Sequence, residues 1–590
     1  MIPNMVTPRS HRPLLRSLTA LALILALVGC GDDAASSSES GASDASATET
    51  SAGSGASATS SSSSGAGQTG TSTAATATAG TSTGALSMTN SDSLDPKFDV
   101  GLDSDAGETE DPPAPSCKVV GEMDGVPPCE ETAPPDSFEP SVQWSYTPEG
   151  AEINAAVTPL VANLTDDNDD GEVDLCDVPD IVVVVYSGGG EVDASGSIHV
   201  LDGETGALHY VAAVPVVRSV TPAIGDIDND GEPEIISVRK LPGQLNTGPI
   251  VAINGRDGSV EWEGSDSWYM QYGGALGLAD LDADGDVEVY AGTSVADHTG
   301  AMLWTGPDQG AYAASTAADL DGDGDLEIIE ANVALHHDGT TYYQNNQVES
   351  KGYAQVADLD DDPEPEVLIT APQGLSLLEH DGTAKYVNLR PTGVPAGGNN
   401  WRRPATVHDF DGDGLAEYAM SSQQFYTVYE GDASIVWSSP VADGSGTAAG
   451  TAFDFIGDGL AEAMYADEQS MFIFDDQGAT LLMTPRKSWT GIEYPVVADV
   501  DNDGSAEIVV VSNDAWSGML DAPTVQVIRD IEDRWVPTRR IFNQHTYHIT
   551  NVREDGTIPQ HEAPHWESFN TFRTNVQSEG GMACKPEPPG

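Results

Sequence analysis

Short apolar stretches alternate with acidic turns over most of the chain, from about residue 140 to residue 545. One apolar stretch precedes each acidic turn, as at Val496–Val500, and a second follows it, as at Glu234–Ser237 and Glu507–Val511. Runs this short, separated by Asp-Gly and Asn-Gly turns, are typical of β-strands joined by hairpins. No segment of this region sustains helical periodicity. The pattern therefore predicts an all-β architecture.

The acidic turn recurs at nearly regular intervals. Eight copies begin at Asp166, Asp226, Asp280, Asp319, Asp358, Asp409, Asp454 and Asp499, with spacings of 60, 54, 39, 39, 51, 45 and 45 residues. Each unit continues with a third strand-like run, a tight turn and a last strand that often carries tryptophan, as at Trp262, Trp304 and Trp437. A period of this length with four strands per unit is typical of propeller blades. We predict a β-propeller of eight four-stranded blades, or of seven blades and one irregular unit.

The stretch Val142–Tyr146 resembles a fourth strand that has no unit before it. We therefore predict that it completes the eighth blade and closes the ring. The domain organisation that follows is a signal segment (1–30), a linker (31–115), a cysteine-containing lead-in (116–140), the propeller (141–533) and a C-terminal tail packed on it (534–590).

The N-terminus has the layout of an export signal. Arg9, Arg12 and Arg16 precede a short apolar run at Leu18–Val28, which is too short to span a bilayer stably. The run ends in Leu-Val-Gly-Cys at Cys30, which resembles the lipobox of bacterial lipoproteins. That resemblance implies lipidation of Cys30, and a following glycine implies the outer membrane rather than the inner one. An ordinary secretory signal is the alternative.

Composition separates the linker from the rest. Residues 31–90 are almost entirely Ser, Ala, Thr and Gly, a composition that cannot offset the entropy of ordering, so we expect a disordered tether.

The whole chain has 23 basic and 95 acidic residues, a formal net charge of −72. Such a charge repels phosphate backbones, which excludes nucleic acid as an expected partner, and it attracts cations.

The acidic turns carry the candidate metal chemistry. Acids on alternate positions can direct oxygens toward one centre, and the following glycine allows a sharp turn at positive φ. Calcium takes six to eight such oxygens. An EF-hand is excluded because its acid stands at position twelve between helices, whereas here the acid stands at position nine and begins a strand.

The pattern D-x-D-x-D-G-x-x-[DE] between two short strands resembles the FG-GAP/VCBS repeats of integrin α-subunit propellers and bacterial surface proteins. The resemblance covers about residues 140–545 and implies calcium at six intact loops. The implied ligands are Asp166, Asn168, Asp170 and Asp174; Asp226, Asp228, Asp230 and Glu234; Asp280, Asp282, Asp284 and Glu288; Asp319, Asp321, Asp323 and Glu327; Asp409, Asp411, Asp413 and Glu417; and Asp499, Asp501, Asp503 and Glu507.

Two loops depart from this pattern. In the fifth loop, Pro363 replaces the glycine, and its fixed negative φ cannot supply the usual turn. In the seventh, Ile456 stands at the third ligand position. We predict weak or no calcium binding at these two loops.

Four cysteines follow the signal segment: Cys117, Cys129, Cys176 and Cys584. An exported compartment permits disulfides, and four cysteines allow three pairings. The local choice pairs Cys117 with Cys129, which leaves Cys176 to tie the C-terminal end to the repeats.

The tail concentrates chemically active side chains. It holds His545, His548, His561 and His565, together with Tyr547 and the arginines Arg534, Arg539 and Arg540. The sequence His-Thr-Tyr-His lacks the glutamate of a HExxH zinc helix. We expect this segment to pack across the propeller; a ligand-binding role and a catalytic role are the alternatives.

No P-loop, dinucleotide fingerprint or nucleophile elbow is present in the sequence, so no catalytic residues are assigned. The leading hypothesis is a lipid-anchored, calcium-binding propeller of the outer membrane or cell surface that binds an extracellular protein or polysaccharide. The alternative is a polysaccharide-active enzyme, a lyase or hydrolase, built on the same propeller. Binding rather than catalysis is the expectation.

Overall fold

The computed structural model describes residue 117 and residues 126–586, except residues 136, 189–194, 271–273, 308–313, 349–350, 361, 392–400, 445–447, 515–520 and 580–581. The expected signal segment, Cys30 and the expected linker lie outside the described residues.

The first half of the described chain folds into short strands. In chain order they are β1 (Pro140–Tyr146), β2 (Asn154–Ala155), β3 (Leu160–Ala162), β4 (Asp180–Tyr186), β5 (Ser195–Asp202), β6 (Leu208–Val211), β7 (Val216–Val217), β8 (Val220–Thr221), β9 (Ala223–Gly225), β10 (Glu234–Val238), β11 (Thr247–Gly248), β12 (Ile250–Asn254), β13 (Val260–Glu263), β14 (Trp268–Tyr269), β15 (Gly274–Ala275), β16 (Gly277–Ala279), β17 (Glu288–Ala291), β18 (Ser294–Ala296), β19 (Met302–Thr305) and β20 (Thr316–Ala318).

The second half continues in the same way. Its elements are β21 (Glu327–Glu330), β22 (Val333–Leu335), β23 (Thr341–Gln344), β24 (Tyr353–Ala357), β25 (Glu366–Ala371), β26 (Gly374–Glu379), β27 (Ala384–Leu389), β28 (Thr406–His408), β29 (Glu417–Ser421), β30 (Phe425–Tyr429), β31 (Ile435–Pro440), β32 (Gly450–Phe453), β33 (Glu462–Ala466), β34 (Ser470–Phe474), β35 (Thr480–Pro485), β36 (Val496–Ala498), β37 (Glu507–Val511), β38 (Val525–Asp530), the helix α1 (His565–Ser568), β39 (Ser578–Glu579) and β40 (Met582–Ala583).

These strands form an eight-bladed β-propeller, which confirms the predicted fold class. Seven blades are antiparallel sheets of strands that lie close together in sequence, beginning with the β2–β7 sheet and ending with the β32–β35 sheet. The eighth blade has the order β1-β38-β37-β36, so its outermost strand comes from the opposite end of the sequence. Trp144 of β1 faces Val527 of β38 in an antiparallel ladder. The prediction that the N-terminal strand closes the ring is confirmed.

Burial falls from the inside of each blade to the outside. In the second blade, every residue of β9 and β10 is buried, whereas no residue of the outer strand β13 is buried. The first strands of neighbouring blades contact each other, as β28 contacts β32. They therefore line the centre of the ring. Apolar side chains from the middle strands pack between adjacent blades and form the core, which removes their surface from water.

The disulfides join the lead-in to two distant parts of the chain. Cys117 pairs with Cys176, and Cys129 pairs with Cys584, 455 residues away. The predicted local pairing of Cys117 with Cys129 is therefore wrong. The reason lies in the path of the lead-in. Its backbone forms hydrogen bonds with Leu175 of the first blade and with Lys585 near the C-terminus, so each cysteine of the lead-in lies beside a distant partner.

No helix within the described ranges is long and apolar enough to cross a membrane.

Candidate functional site

The acidic loops join the first strand of a blade to the second. Asp226 directly follows β9, and Glu234 is the first residue of β10. The ninth-position glutamate begins the second strand in the same way in blades three to eight, as Glu417 begins β29. Because the connection is the same in every blade, the loops lie at one end of the ring.

Three side-chain hydrogen bonds define the loop conformation. In the second loop, the Gly231 N–H donates to Asp226 Oδ2 at 3.1 Å, the Glu232 N–H donates to Asp230 Oδ1 at 2.9 Å, and the Ile227 N–H donates to Glu234 Oε2 at 3.0 Å. Equivalent bonds hold the loops that begin at Asp280, Asp319, Asp409, Asp454 and Asp499.

Two positions of the turn adopt positive φ in every acidic loop except the fifth. In the second loop these are Asn229, with φ 59°, and Gly231, with φ 91°. In these seven loops the fourth position is Asn, Asp, Ala or Gly, and the sixth is Gly. Glycine and asparagine adopt this backbone region most easily, so the local sequence itself selects the loop conformation.

Burial disfavours the ionised form of the carboxylates in the acidic loops. It raises the pKa of Glu234 and of Glu417 to about 9, and that of Glu288 to about 8, and the neighbouring loop carboxylates add to each shift. Burial also raises the pKa of Asp499 to about 7. These carboxylates are unfavourable as anions unless a positive charge compensates them.

Several of the same carboxylates have an oxygen that no hydrogen-bond donor reaches. Within the described residues, Glu417 Oε1, Glu507 Oε1 and Asp499 Oδ1 are buried and have no partner. Their second oxygens accept the backbone N–H groups described above, so the orientation of each carboxylate is fixed. Buried, oriented and unpartnered carboxylate oxygens are suitable ligands for a hard cation such as calcium. The donor set therefore fits the metal that the sequence pattern implies.

The first loop differs from the sequence-based assignment at its ninth position. The N–H of Asp167, at the second position, donates to Asp177 Oδ1 at 3.0 Å, and Asp177 is buried. Asp174 instead accepts the N–H of Cys176. Asp177 thus takes the hydrogen-bonding role that the ninth acid has elsewhere, because the first blade has a longer connection before β4. The spacing of the motif could not reveal this.

The fifth loop contains a side-chain cation. Lys385, on the outer strand β27, places its Nζ 2.6 Å from Glu366 Oε1 and 3.5 Å from Glu379 Oε2, and it also contacts Asp360. Burial raises the pKa of Glu366 to about 7, although Lys385 opposes the shift. The lysine thus supplies positive charge at one of the two loops that depart from the motif.

The seventh loop is covered by the lead-in. The Ala133 N–H donates to the Ile456 carbonyl at 2.8 Å, and Phe138 packs edge-on against Phe455 with ring centroids 5.9 Å apart. Ile456 at the third position therefore joins an apolar cluster with the lead-in. The sequence pattern identified the two loops that depart from the motif. It did not predict the contact of Lys385 with the fifth loop or the packing of the lead-in on the seventh, because both involve residues outside the motif.

The tail passes through the centre of the ring. It hydrogen-bonds to the first strand, or the residue beside it, in all eight blades in turn: Phe542 with Val161, Asn543 with Ile224, Gln544 with Leu278, Thr546 with Ser315, His565 with Val356, Phe572 with Val407, Thr574 with Ala452, and Asn575 with Val497. These residues of the tail therefore pack against all eight blades.

The side chains that sequence reasoning singled out in the tail are mostly buried. His545, His548 and His565 are at most 1% exposed, and Tyr547 is fully buried, whereas His561 is exposed. Arg539 forms a buried ion pair with Glu554 at 2.8 Å and also donates to the Tyr547 hydroxyl at 3.0 Å. Burial alone would raise the pKa of Glu554, but Arg539 and Arg540 hold it below its ordinary value. These groups anchor the C-terminal tail in the centre of the ring.

No protein-family model and no curated protein sequence matches this chain. Among solved structures, it resembles the Vibrio cholerae biofilm matrix protein Bap1, with a TM-score of 0.63 and 21% identity, over 75% of this chain and 99% of that one. It also resembles the rhamnogalacturonan lyase PL11 of Bacillus licheniformis, with a TM-score of 0.46 and 18% identity, over 77% of this chain and 83% of that one. The exotype rhamnogalacturonan lyase YesX gives a TM-score of 0.45 and 17% identity, over 78% and 83%.

The likeness to Bap1 shows the fold, and the two lyases are too distant to bear on function. The class that the fold and the site define is an eight-bladed β-propeller with acidic blade loops at one end and a channel filled by its own C-terminal tail.

Proposed function

We propose that six blade loops bind calcium. The residues that would hold it are the first-, third-, fifth- and ninth-position side chains of the loops beginning at Asp226, Asp280, Asp319, Asp409 and Asp499, and the equivalent side chains of the Asp166 loop, with Asp177 in addition to Asp174. The ion would supply the positive charge that the buried carboxylates lack. Its binding energy would then contribute to folding. The unpartnered oxygens of Glu417, Glu507 and Asp499 support this proposal.

We further propose that the protein acts by binding an extracellular protein or polysaccharide in adhesion or surface organisation. The observation that carries this proposal is the buried tail. An enzyme of the alternative class would need the tail histidines, Tyr547 and the arginines in an open groove, but His545, His548, Tyr547 and Arg539 are at most 2% exposed. Because these side chains are buried, they stabilise the ring and do not contact a substrate.

The proposed location is the outer membrane or the cell surface, through a lipid on Cys30. This residue lies outside the described part of the chain, so the proposal rests on the sequence Leu27–Cys30. Replacing Cys30 by Ala is expected to move the protein from the membrane fraction to the soluble fraction. Unchanged membrane association would contradict the lipid anchor.

The binding role is tested by a screen of the calcium-loaded protein against glycan arrays and cell-surface preparations, with a chelator-treated sample in parallel. We expect binding that needs calcium and that survives the His545→Gln and His548→Gln substitutions. Depolymerisation of a bound glycan by the wild type, lost in either variant, would instead establish the enzyme.

A further inference from the structure

Three ionisable side chains of the tail meet where it passes from blade four to blade five. They are His548, Glu562 and His565, and one ligand atom of each lies within 4.8 Å of the others. Both histidines are 1% exposed, and the Glu562 side chain is 8% exposed. The group lies apart from the acidic loops in sequence, and the calcium proposal does not use it.

The hydrogen bonds of His548 assign its tautomer. Its Nδ1 lies 3.1 Å from the Thr546 carbonyl oxygen, which can only accept, so Nδ1 carries the proton. In the neutral ring, Nε2 then has a free lone pair. This atom faces Glu562 Oε1 at 2.5 Å. Two lone pairs at that distance repel each other unless a positive charge stands between them or on the ring.

His565 is oriented in the complementary way. Its Nε2 lies 2.9 Å from the Val356 carbonyl oxygen and donates to it, which leaves the lone pair on Nδ1. This Nδ1 is buried and has no hydrogen-bond partner among the described residues.

Each ring therefore donates one N–H to a backbone carbonyl and keeps a lone pair on its other nitrogen, and one nitrogen of each ring lies within 4.8 Å of a carboxylate oxygen of Glu562. This is the arrangement in which histidines that ligate metals are usually held, because the outer hydrogen bond fixes the tautomer and the ring orientation. Thr550 Oγ1 also donates to Glu562 Oε1 at 3.0 Å and orients the carboxylate.

We propose that His548 Nε2, His565 Nδ1 and Glu562 Oε1 form a binding site for a divalent first-row transition metal, with zinc as the expected ion. Two imidazoles and one carboxylate suit zinc and its neighbours, whereas calcium prefers oxygen ligands. Because the ligands come from both ends of the segment 548–565, the metal fixes that segment as it crosses from blade four to blade five.

The test uses the full chain, stripped of metals and then saturated with millimolar calcium so that the acidic loops do not compete. Zinc is titrated by calorimetry, and bound metal is counted by elemental analysis after gel filtration. We expect one tightly bound zinc per chain. The variants His548→Gln, Glu562→Gln and His565→Gln are expected to bind zinc about 100-fold more weakly or not at all. His561→Gln, which alters an exposed histidine of the same segment, is the matched control and should bind like the wild type.

Absence of zinc uptake by the calcium-saturated wild type would overturn the proposal and leave a plain ion pair between His548 and Glu562. An equal loss of affinity in the His561→Gln control would also overturn it. If the ligand variants do not fold, cobalt-loaded wild type gives an independent measurement. Its NMR spectrum should show two hyperfine-shifted imidazole N–H signals, one Nδ1–H and one Nε2–H, and their absence would refute the site.

Discussion

The ammonium nitrogen of Lys385 lies 2.6 Å from the Oε1 carboxylate oxygen of Glu366, inside the fifth acidic loop. Glu366 is fully buried, and the Lys385 side chain is 18% exposed. At this loop, where Pro363 replaces the usual glycine, the protein thus provides its own cation from the outer strand of the same blade.

Replacing Lys385 by Met should destabilise the protein by about 2–4 kcal/mol, because it leaves a buried carboxylate without its partner. Denaturant unfolding at saturating calcium measures the change. Lys351→Met, at an exposed lysine, is the control and should stay within about 0.5 kcal/mol of the wild type. Equal effects of the two substitutions would contradict the role assigned to Lys385.

Calcium removal should lower the melting temperature, and titration of the metal-free protein should show six sites. Asp228→Asn, at the third position of an intact loop, should reduce the count to five. Asp458→Asn, in the seventh loop, should leave it unchanged, because Ile456 already removes one ligand there. A melting temperature indifferent to chelator would rule out structural calcium.

Digestion without reduction, followed by mass spectrometry, should recover peptides that link Cys117 to Cys176 and Cys129 to Cys584. The Cys584→Ser variant should lose about 2–5 kcal/mol of stability, because the Cys129–Cys584 disulfide joins the end of the C-terminal tail to the lead-in. Recovery of a Cys117–Cys129 peptide as the main product would restore the local pairing instead.

Acidification should destabilise the protein partly through His545. Burial, and then the charge of Arg573, hold the pKa of His545 well below its ordinary value of 6.5. The ring packs against Tyr494, and its Nδ1 lies 3.2 Å from Thr158 Oγ1. Below about pH 6.5 the unfolded state therefore binds a proton that the folded state does not.

The contribution of His545 to stability thus falls as the pH falls, by up to about 1.4 kcal/mol per pH unit. Unfolding of wild type and His545→Gln between pH 7 and pH 5 measures this slope. The variant should show a shallower dependence, and identical slopes would contradict the prediction.

Closure of the ring should depend on Trp144. Its Nε1 donates to the Gly203 carbonyl at 2.7 Å, and its ring lies against Gly206, where any side chain would collide with it. Trp144→Ala should cost about 2–3 kcal/mol. Val142→Ala, on the same strand but 46% exposed, should cost much less, and similar losses in both variants would argue against a specific closing contact.

The sequence by itself determined the propeller and the conformation of the acidic loops, and it limited the blade number to eight, or to seven with one irregular unit. These features are local and repeated: an aspartate binds N–H groups four or five residues later, as Asp226 does in its loop, and glycine permits the turn. Each blade encodes its own hairpins through short apolar runs separated by Asp-Gly and Asn-Gly turns. A segment such as Pro140–Tyr146 could be assigned to the last blade because the repeat lacked one strand.

Only the tertiary structure decided which distant side chains complete these local units. Asp177 takes the hydrogen-bonding role of the ninth-position acid in the first loop, Cys129 pairs with Cys584, and Lys385 contacts Glu366 in the fifth loop. The tautomers of His548 and His565 follow from backbone carbonyls that only the folded ring brings to them. None of these partners stands at a fixed spacing, because each depends on where a connection or the tail crosses the ring. Closure of the ring brings such partners together, and the repeat spacing of the sequence does not predict these contacts.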